Sequence, residues 1–136
     1  MPAQHASGRG LFDQDQSFWG GFVVKHPSVT LFHAGDTGYC NHFKEIGDKF
    51  TIDIAMLPMG SYEPKWLLER VHMGPKSAVE AHKDLKAKQS FGMHCDTFRL
   101  SSVSYLQAHN ELRTILAGDS KAREQFRVLE VGESTN

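Results

Sequence analysis

Apolar and polar positions along this chain fall into short blocks whose spacing predicts strands and helices in turn. Residues 17–25, with Phe18, Trp19, Phe22 and Val23, read as a strand whose Gly20-Gly21 pair marks a bulge or a close backbone approach. Residues 29–34 (Val-Thr-Leu-Phe-His-Ala) read as a second strand, and Pro27-Ser28 supplies the turn that makes the two an antiparallel hairpin. After the tight turn Gly35-Asp36-Thr37-Gly38, a helix is expected over 39–48 with Phe43 and Ile46 facing inward. The run 52–57 is nearly continuously apolar and is stopped by Pro58, the pattern of a strand buried on both faces. Pro75 suits a first helical turn, and Ala78, Val79, His82 and Leu85 form a stripe against a lysine-rich outer face, so 75–88 reads as the clearest helix. A strand over 90–94, a helix over 103–117 and a strand over 126–131 complete the series. Residues 5–16 read as a polar loop containing Gly8 and Gly10, and 132–136 as a frayed polar tail. Strands alternating with helices of this length argue an α/β layer structure.

Composition narrows the function classes. The 136 residues are one domain's worth, without a linker or internal repeat, and 40% hydrophobic content places the chain among folded proteins. With 15 basic against 16 acidic residues there is no basic stripe for nucleic acid. Cys40 and Cys95 lack a CxxC spacing and are expected as two buried free thiols in a reducing compartment. No apolar run reaches the ~18 residues of a spanning helix, and the start Met1-Pro2-Ala3-Gln4-His5 lacks the apolar core of a signal peptide. The expectation is a cytoplasmic protein whose membrane contact, if any, is peripheral.

Three of the segments combine into candidate chemistry. Asp36 follows the strand 29–34 directly, and its flanking glycines let the carboxylate project past the strand end. His94 closes the strand that begins at Ser90, and side chains beyond the carboxyl ends of strands share a rim in α/β sheets. His5 lies just ahead of the glycine-rich loop. Two imidazoles and a carboxylate are a set that first-row metals accept, leaving a position for water. Taken singly, each has a plainer reading: Asp36 as a turn residue bonding its own backbone, His94 as a satisfied core or surface histidine, His5 as a solvated side chain near a terminus. Spacing alone leaves both readings open.

Four separated motifs, in order, resemble the second half of the N-acylphosphatidylethanolamine-hydrolysing phospholipase D family: Pro2-Ala3-Gln4-His5, Phe32-His33-Ala34-Gly35-Asp36-Thr37-Gly38-Tyr39, Met59-Gly60-Ser61-Tyr62-Glu63-Pro64 and His94-Cys95-Asp96-Thr97-Phe98. Gly132-Glu133-Ser134 is similar to that family's carboxy-terminal end. The resemblance implies half of a metallo-β-lactamase αββα sandwich over residues 1–131, a mixed sheet with helices on one face. It implies zinc ligands at His5, Asp36 and His94, with Asp36 bridging two zinc ions as the catalytic carboxylate. It also implies substrate contacts at His72 and Tyr62. The implied activity is hydrolysis of N-acylphosphatidylethanolamine, a phospholipid, to N-acylethanolamine and phosphatidic acid.

Departures from the family pattern qualify this. Val71 stands where the family has Gln, Cys95 where it has Trp, and Asp96 where it has Gly. Asp96 is expected to orient His94, to crowd the metal or to become a ligand itself. The family's histidine-x-histidine-x-aspartate-histidine motif is absent, leaving only His26, His33, His42, His82 and His109 elsewhere, with His82 expected in the core. A chain with half the sandwich is expected to expose the inner face of its sheet as an apolar patch and to have weak or no turnover alone, as a fragment or a short isoform. Three functions follow: the lipid phosphodiesterase, another hydrolase of the superfamily acting on a different diester or a lactone, and a non-catalytic chain that pairs with a full-length homologue or forms a homo-oligomer. Phe12, Trp19, Trp66, Leu67 and Leu68 are expected mostly as core, with a lipid groove as the alternative use.

Overall fold

The computed structural model describes residues 1–6 and 12–135, so Gly8, Gly10 and part of the expected loop lie outside the described residues. Its centre is a five-stranded sheet in the order β1 (Phe22–His26), β2 (Val29–His33), β3 (Ile54–Pro58), β4 (Gln89–Met93) and β5 (Phe126–Arg127). β1 and β2 form the antiparallel hairpin; β2, β3, β4 and β5 run parallel, so the sheet is mixed. Parallel neighbours need crossovers, and the helices supply them: α1 (His42–Lys49), the one-turn α2 (Lys65–Leu68), α3 (Pro75–Leu85), α4 (Gln107–Leu116) and α5 (Ser120–Gln125).

Register assigns the two faces. Val23, Phe32, Ala55, Ser90 and Phe126 align across the sheet, and the last four are fully or almost fully buried. His82 of α3 reaches Ser90 on this face, and α3 packs on β3 between α1 and α4, with α5 against β5. Helices α1, α3, α4 and α5 therefore form one layer. Phe43 and Ile46 of α1, and Ala78, Val79, Ala81, His82 and Leu85 of α3, bury their stripes there. The opposite row is apolar too but uncovered at one edge: Phe22 is 68% and Val24 58% exposed, with Leu31, Ile54 and Met56 half-buried. β3 is thus buried on its helix face and only half-covered on the other, which corrects the expectation of burial on both.

Several boundaries differ from the pattern reading: α1 begins at His42 and not at 39, α3 ends at Leu85 and not at 88, and β5 ends at Arg127 and not at 131. β1 begins at Phe22 because the chain terminus occupies the preceding glycines: the Met1 amine donates to the Gly21 carbonyl at 2.6 Å, and Gly21 N–H donates to the Met1 carbonyl at 3.0 Å. α4 begins at Gln107 because Leu106 is left-handed, with φ 59°. The segment before β5 is a helix, α5, started by the Asp119 carboxylate accepting from Ala122 N–H at 3.0 Å. The tail folds back through Glu133, whose carboxylate accepts from Arg127 at 2.8 Å and from the Glu130 N–H at 2.9 Å.

Candidate metal centre

Asp36 and His94 leave the carboxyl ends of β2 and β4 on either side of β3, at the same edge of the sheet. Asp36 Oδ1 lies 3.4 Å from His94 Nε2. His94 reaches this position with a left-handed backbone, φ 58°, and Asp96 and Ser61 share that conformation at 58° and 60°. For residues other than glycine this region is costly, and such residues gather at sites the surrounding structure overdetermines. Gly60 makes the approach possible: a Cβ there would collide with the His94 carbonyl.

The amino-terminal segment is clamped to the Asp36 turn, which brings His5 in. Gln4 forms a bridge with Gly38; its N–H donates to Thr37 Oγ1 at 2.8 Å and its side-chain amide donates to the Arg70 carbonyl at 2.8 Å. Thr37 is fully buried. His5 Nδ1 is 3.2 Å from the Val71 carbonyl, and its ring packs edge-on against Trp19 at 6.2 Å and His72 at 5.7 Å. His72 in turn stacks on His94 with centroids 5.5 Å apart. The structure therefore groups His5, His72, His94 and Asp36. Burial holds the His72 imidazole below the usual histidine range, opposed by the Asp36 charge and reinforced by His94 and His5. The clamp residues Gln4, Thr37 and Arg70 escape the sequence reading, although Gln4 and Thr37 lie inside the quoted motifs.

Tyr62 is not part of this group. It is 3% exposed, its ring lies against Gly74, and Gln107 Nε2 approaches its hydroxyl at 3.5 Å. Burial first, then a hydrogen bond with Glu111, pushes its pKa upward. The resemblance implies a contact between Tyr62 and substrate; its side chain packs between the loop after β3 and α4. Asp96 does not orient His94 either: Oδ1 accepts from Leu106 N–H at 2.8 Å, and Oδ2 faces His109 Nδ1 at 3.9 Å. It ties off a loop over 97–105 that walls a cavity of about 100 Å³ next to His94, lined also by Cys95, Arg99, Leu100, Val103 and Ala108. Trp66 and Leu67 are exposed at 84% and 56%, Phe12 at 91% and Trp19 at 37%, so the expectation of core use fails for these four. Helix α2 is too short to bury a face against the layer.

The donor set fits a divalent metal in three respects. Imidazole and carboxylate suit a first-row ion. A tetrahedral site with bonds of ~2.0–2.1 Å has edges of ~3.3–3.4 Å, so the Asp36–His94 separation of 3.4 Å matches one edge. The Nδ1 atoms of His72 and His94 are buried without hydrogen-bond partners among the described residues, leaving each ring with unspent bonding capacity. In one respect the set is partial: among the described residues, no group of three or more His, Cys, Asp or Glu side chains converges as a metal site.

A family model described as "Beta-lactamase superfamily domain" matches residues 1–95. The chain is 34% identical, over 98% of its length, to N-acyl-phosphatidylethanolamine-hydrolyzing phospholipase D 1 of Caenorhabditis elegans, of which it covers 38%. It is 32% identical, again over 98%, to a metal-dependent hydrolase of Pelotomaculum thermopropionicum, of which it covers 54%. Among solved structures, a metallo hydrolase from Ignicoccus hospitalis superposes with a TM-score of 0.70 at 26% identity, covering 98% of this chain and 49% of that one. The chain thus spans about two-fifths to one-half the length of these relatives.

Proposed function

We propose, for a chain that belongs to the beta-lactamase superfamily, that it carries one part of the zinc centre of a phosphodiester hydrolase of the N-acylphosphatidylethanolamine phospholipase D type. One observation carries the reading: Asp36 and His94 stand 3.4 Å apart beyond two strand ends, with His72 stacked on His94 and His5 edge-on to His72. Asp36, His94 and His5 would hold the metal, which when bound would supply a Lewis acid and lower the pKa of water toward ~7. Asp36 adds the negative charge that keeps a cation at this rim. His72, kept neutral by burial, offers a ring nitrogen to the substrate headgroup. Water displaces the ethanolamide oxygen at phosphorus in line, releasing N-acylethanolamine and phosphatidic acid. The cavity beside His94 receives an apolar part of the substrate, and Trp66 with Leu67 touches the lipid surface; among the described residues no helix is long and apolar enough to cross a membrane.

Product analysis tests this. With zinc supplied, the protein is expected to release N-acylethanolamine from N-acylphosphatidylethanolamine in preference to cleaving a simple aryl phosphodiester, and D36A and H94A are expected to lose that release. A preference for the simple diester or a lactone supports instead a different hydrolase of the superfamily, the reading that Val71, Asp96 and the Pelotomaculum relative favour. The partial ligand set and the uncovered apolar row favour a third reading, a non-catalytic chain that pairs with a full-length homologue. Absence of both zinc uptake and turnover on every substrate supports it.

A further inference from the structure

Away from the centre, Cys40 and His42 form a second pair of chemically active side chains at the start of α1. Cys40 is half-buried, and its Sγ lies 2.8 Å from His42 Nδ1. His42 is 6% exposed, and its other nitrogen, Nε2, is buried with no hydrogen-bond partner among the described residues. We propose that Cys40 is a nucleophilic thiol modified by soft carbon electrophiles, with His42 as the base that takes its proton.

At 2.8 Å the thiol donates to Nδ1 in the tautomer whose own proton sits on Nε2, and in that arrangement His42 is placed to take the thiol proton. Burial holds the His42 imidazole below its ordinary range, with Glu45 opposing weakly, so the ring is in its basic form near neutrality. On alkylation by iodoacetamide, the S–C bond forms, the C–I bond breaks, iodide leaves, and the thiol proton passes to His42 Nδ1 and on to water. Cys95, also half-buried, is an internal control.

Site-resolved mass spectrometry of the full chain treated with iodoacetamide near neutral pH tests the proposal. Cys40 is expected to alkylate at least about ten-fold faster than both Cys95 and N-acetylcysteine, and H42Q to slow it about ten-fold while leaving the Cys95 rate unchanged. Alkylation of Cys40 no faster than N-acetylcysteine overturns the proposal without any variant. So does an unchanged Cys40 rate in an H42Q protein whose circular dichroism matches the parent.

Discussion

The imidazole of His82 on α3 and the hydroxyl of Ser90 on β4 meet at 2.8 Å with both side chains buried, a polar tie between the helix layer and the sheet. Burial is the main reason that His82 binds a proton less readily than a free histidine, and His42 and His72 are lowered for the same leading reason. The unfolded chain takes up protons below about pH 6.5 that these folded rings resist, so stability is fully present above that pH and falls as pH drops through it toward the folded pKa values. Each such group steepens the decline by at most about 1.4 kcal/mol per pH unit. Urea unfolding followed across this window is expected to show the midpoint falling on acidification. H82N is expected to lower stability near neutrality by ~1–3 kcal/mol and to flatten the slope; a slope identical to the parent's would assign the acid sensitivity elsewhere.

Gly60 holds the loop after β3 against the His94 carbonyl, where a side chain has no room. The obstructing atoms are backbone, so they yield only if β4's end moves. G60A is expected to cost ~2–4 kcal/mol in chemical denaturation. The amide signals of His94 and Cys95 should shift most. A variant as stable as the parent would show that this edge of the sheet is looser than the geometry indicates.

The Asp96 carboxylate spans the loop over 97–105 by its bond to Leu106 N–H. Asparagine at 96 retains an acceptor; glycine, the residue the family resemblance places there, does not. At φ 58° glycine relieves the left-handed backbone while losing the acceptor, so D96G is expected to stay within ~1 kcal/mol of the parent yet to raise hydrogen exchange across 97–106, with D96N close to the parent. Equal exchange in all three proteins would remove the tie from the account of the cavity.

Trp66 is 84% exposed on a one-turn helix, so its replacement removes little packing. W66S is expected to leave stability within ~0.5 kcal/mol of the parent. Its co-sedimentation with phosphatidylcholine–phosphatidylethanolamine vesicles is expected to fall several-fold. Undiminished sedimentation would assign the lipid contact to other residues.

Periodicity made the hairpin, α1, β3, α3 and β4 legible, because each buries a regular stripe or run in one layer. It failed where a single long-range bond decided the boundary. Met1 pairs with Gly21 and shortens β1, and Asp96 pins a left-handed Leu106 and delays α4. Helix α5 carried a signal in Asp119 ahead of Ser120, but its six residues are too few for a clear stripe. His5, Asp36, His72 and His94 came from separated motifs whose grouping depends on strand order and on the Gln4 clamp, neither of which spacing encodes. Tyr62 also came from a motif match, and its hydroxyl is turned to α4.

Asp36, His94 and His5 are proposed as zinc ligands at one edge of the sheet, and zinc titration of the histidine-labelled chain followed by imidazole NMR tests this most directly. The ring signals of His94 and His5 are expected to shift together with zinc while those of His26 and His82 stay in place, and D36A is expected to weaken the response at least about ten-fold. Zinc that leaves His94 and His5 unmoved, or moves them equally in D36A, would contradict it.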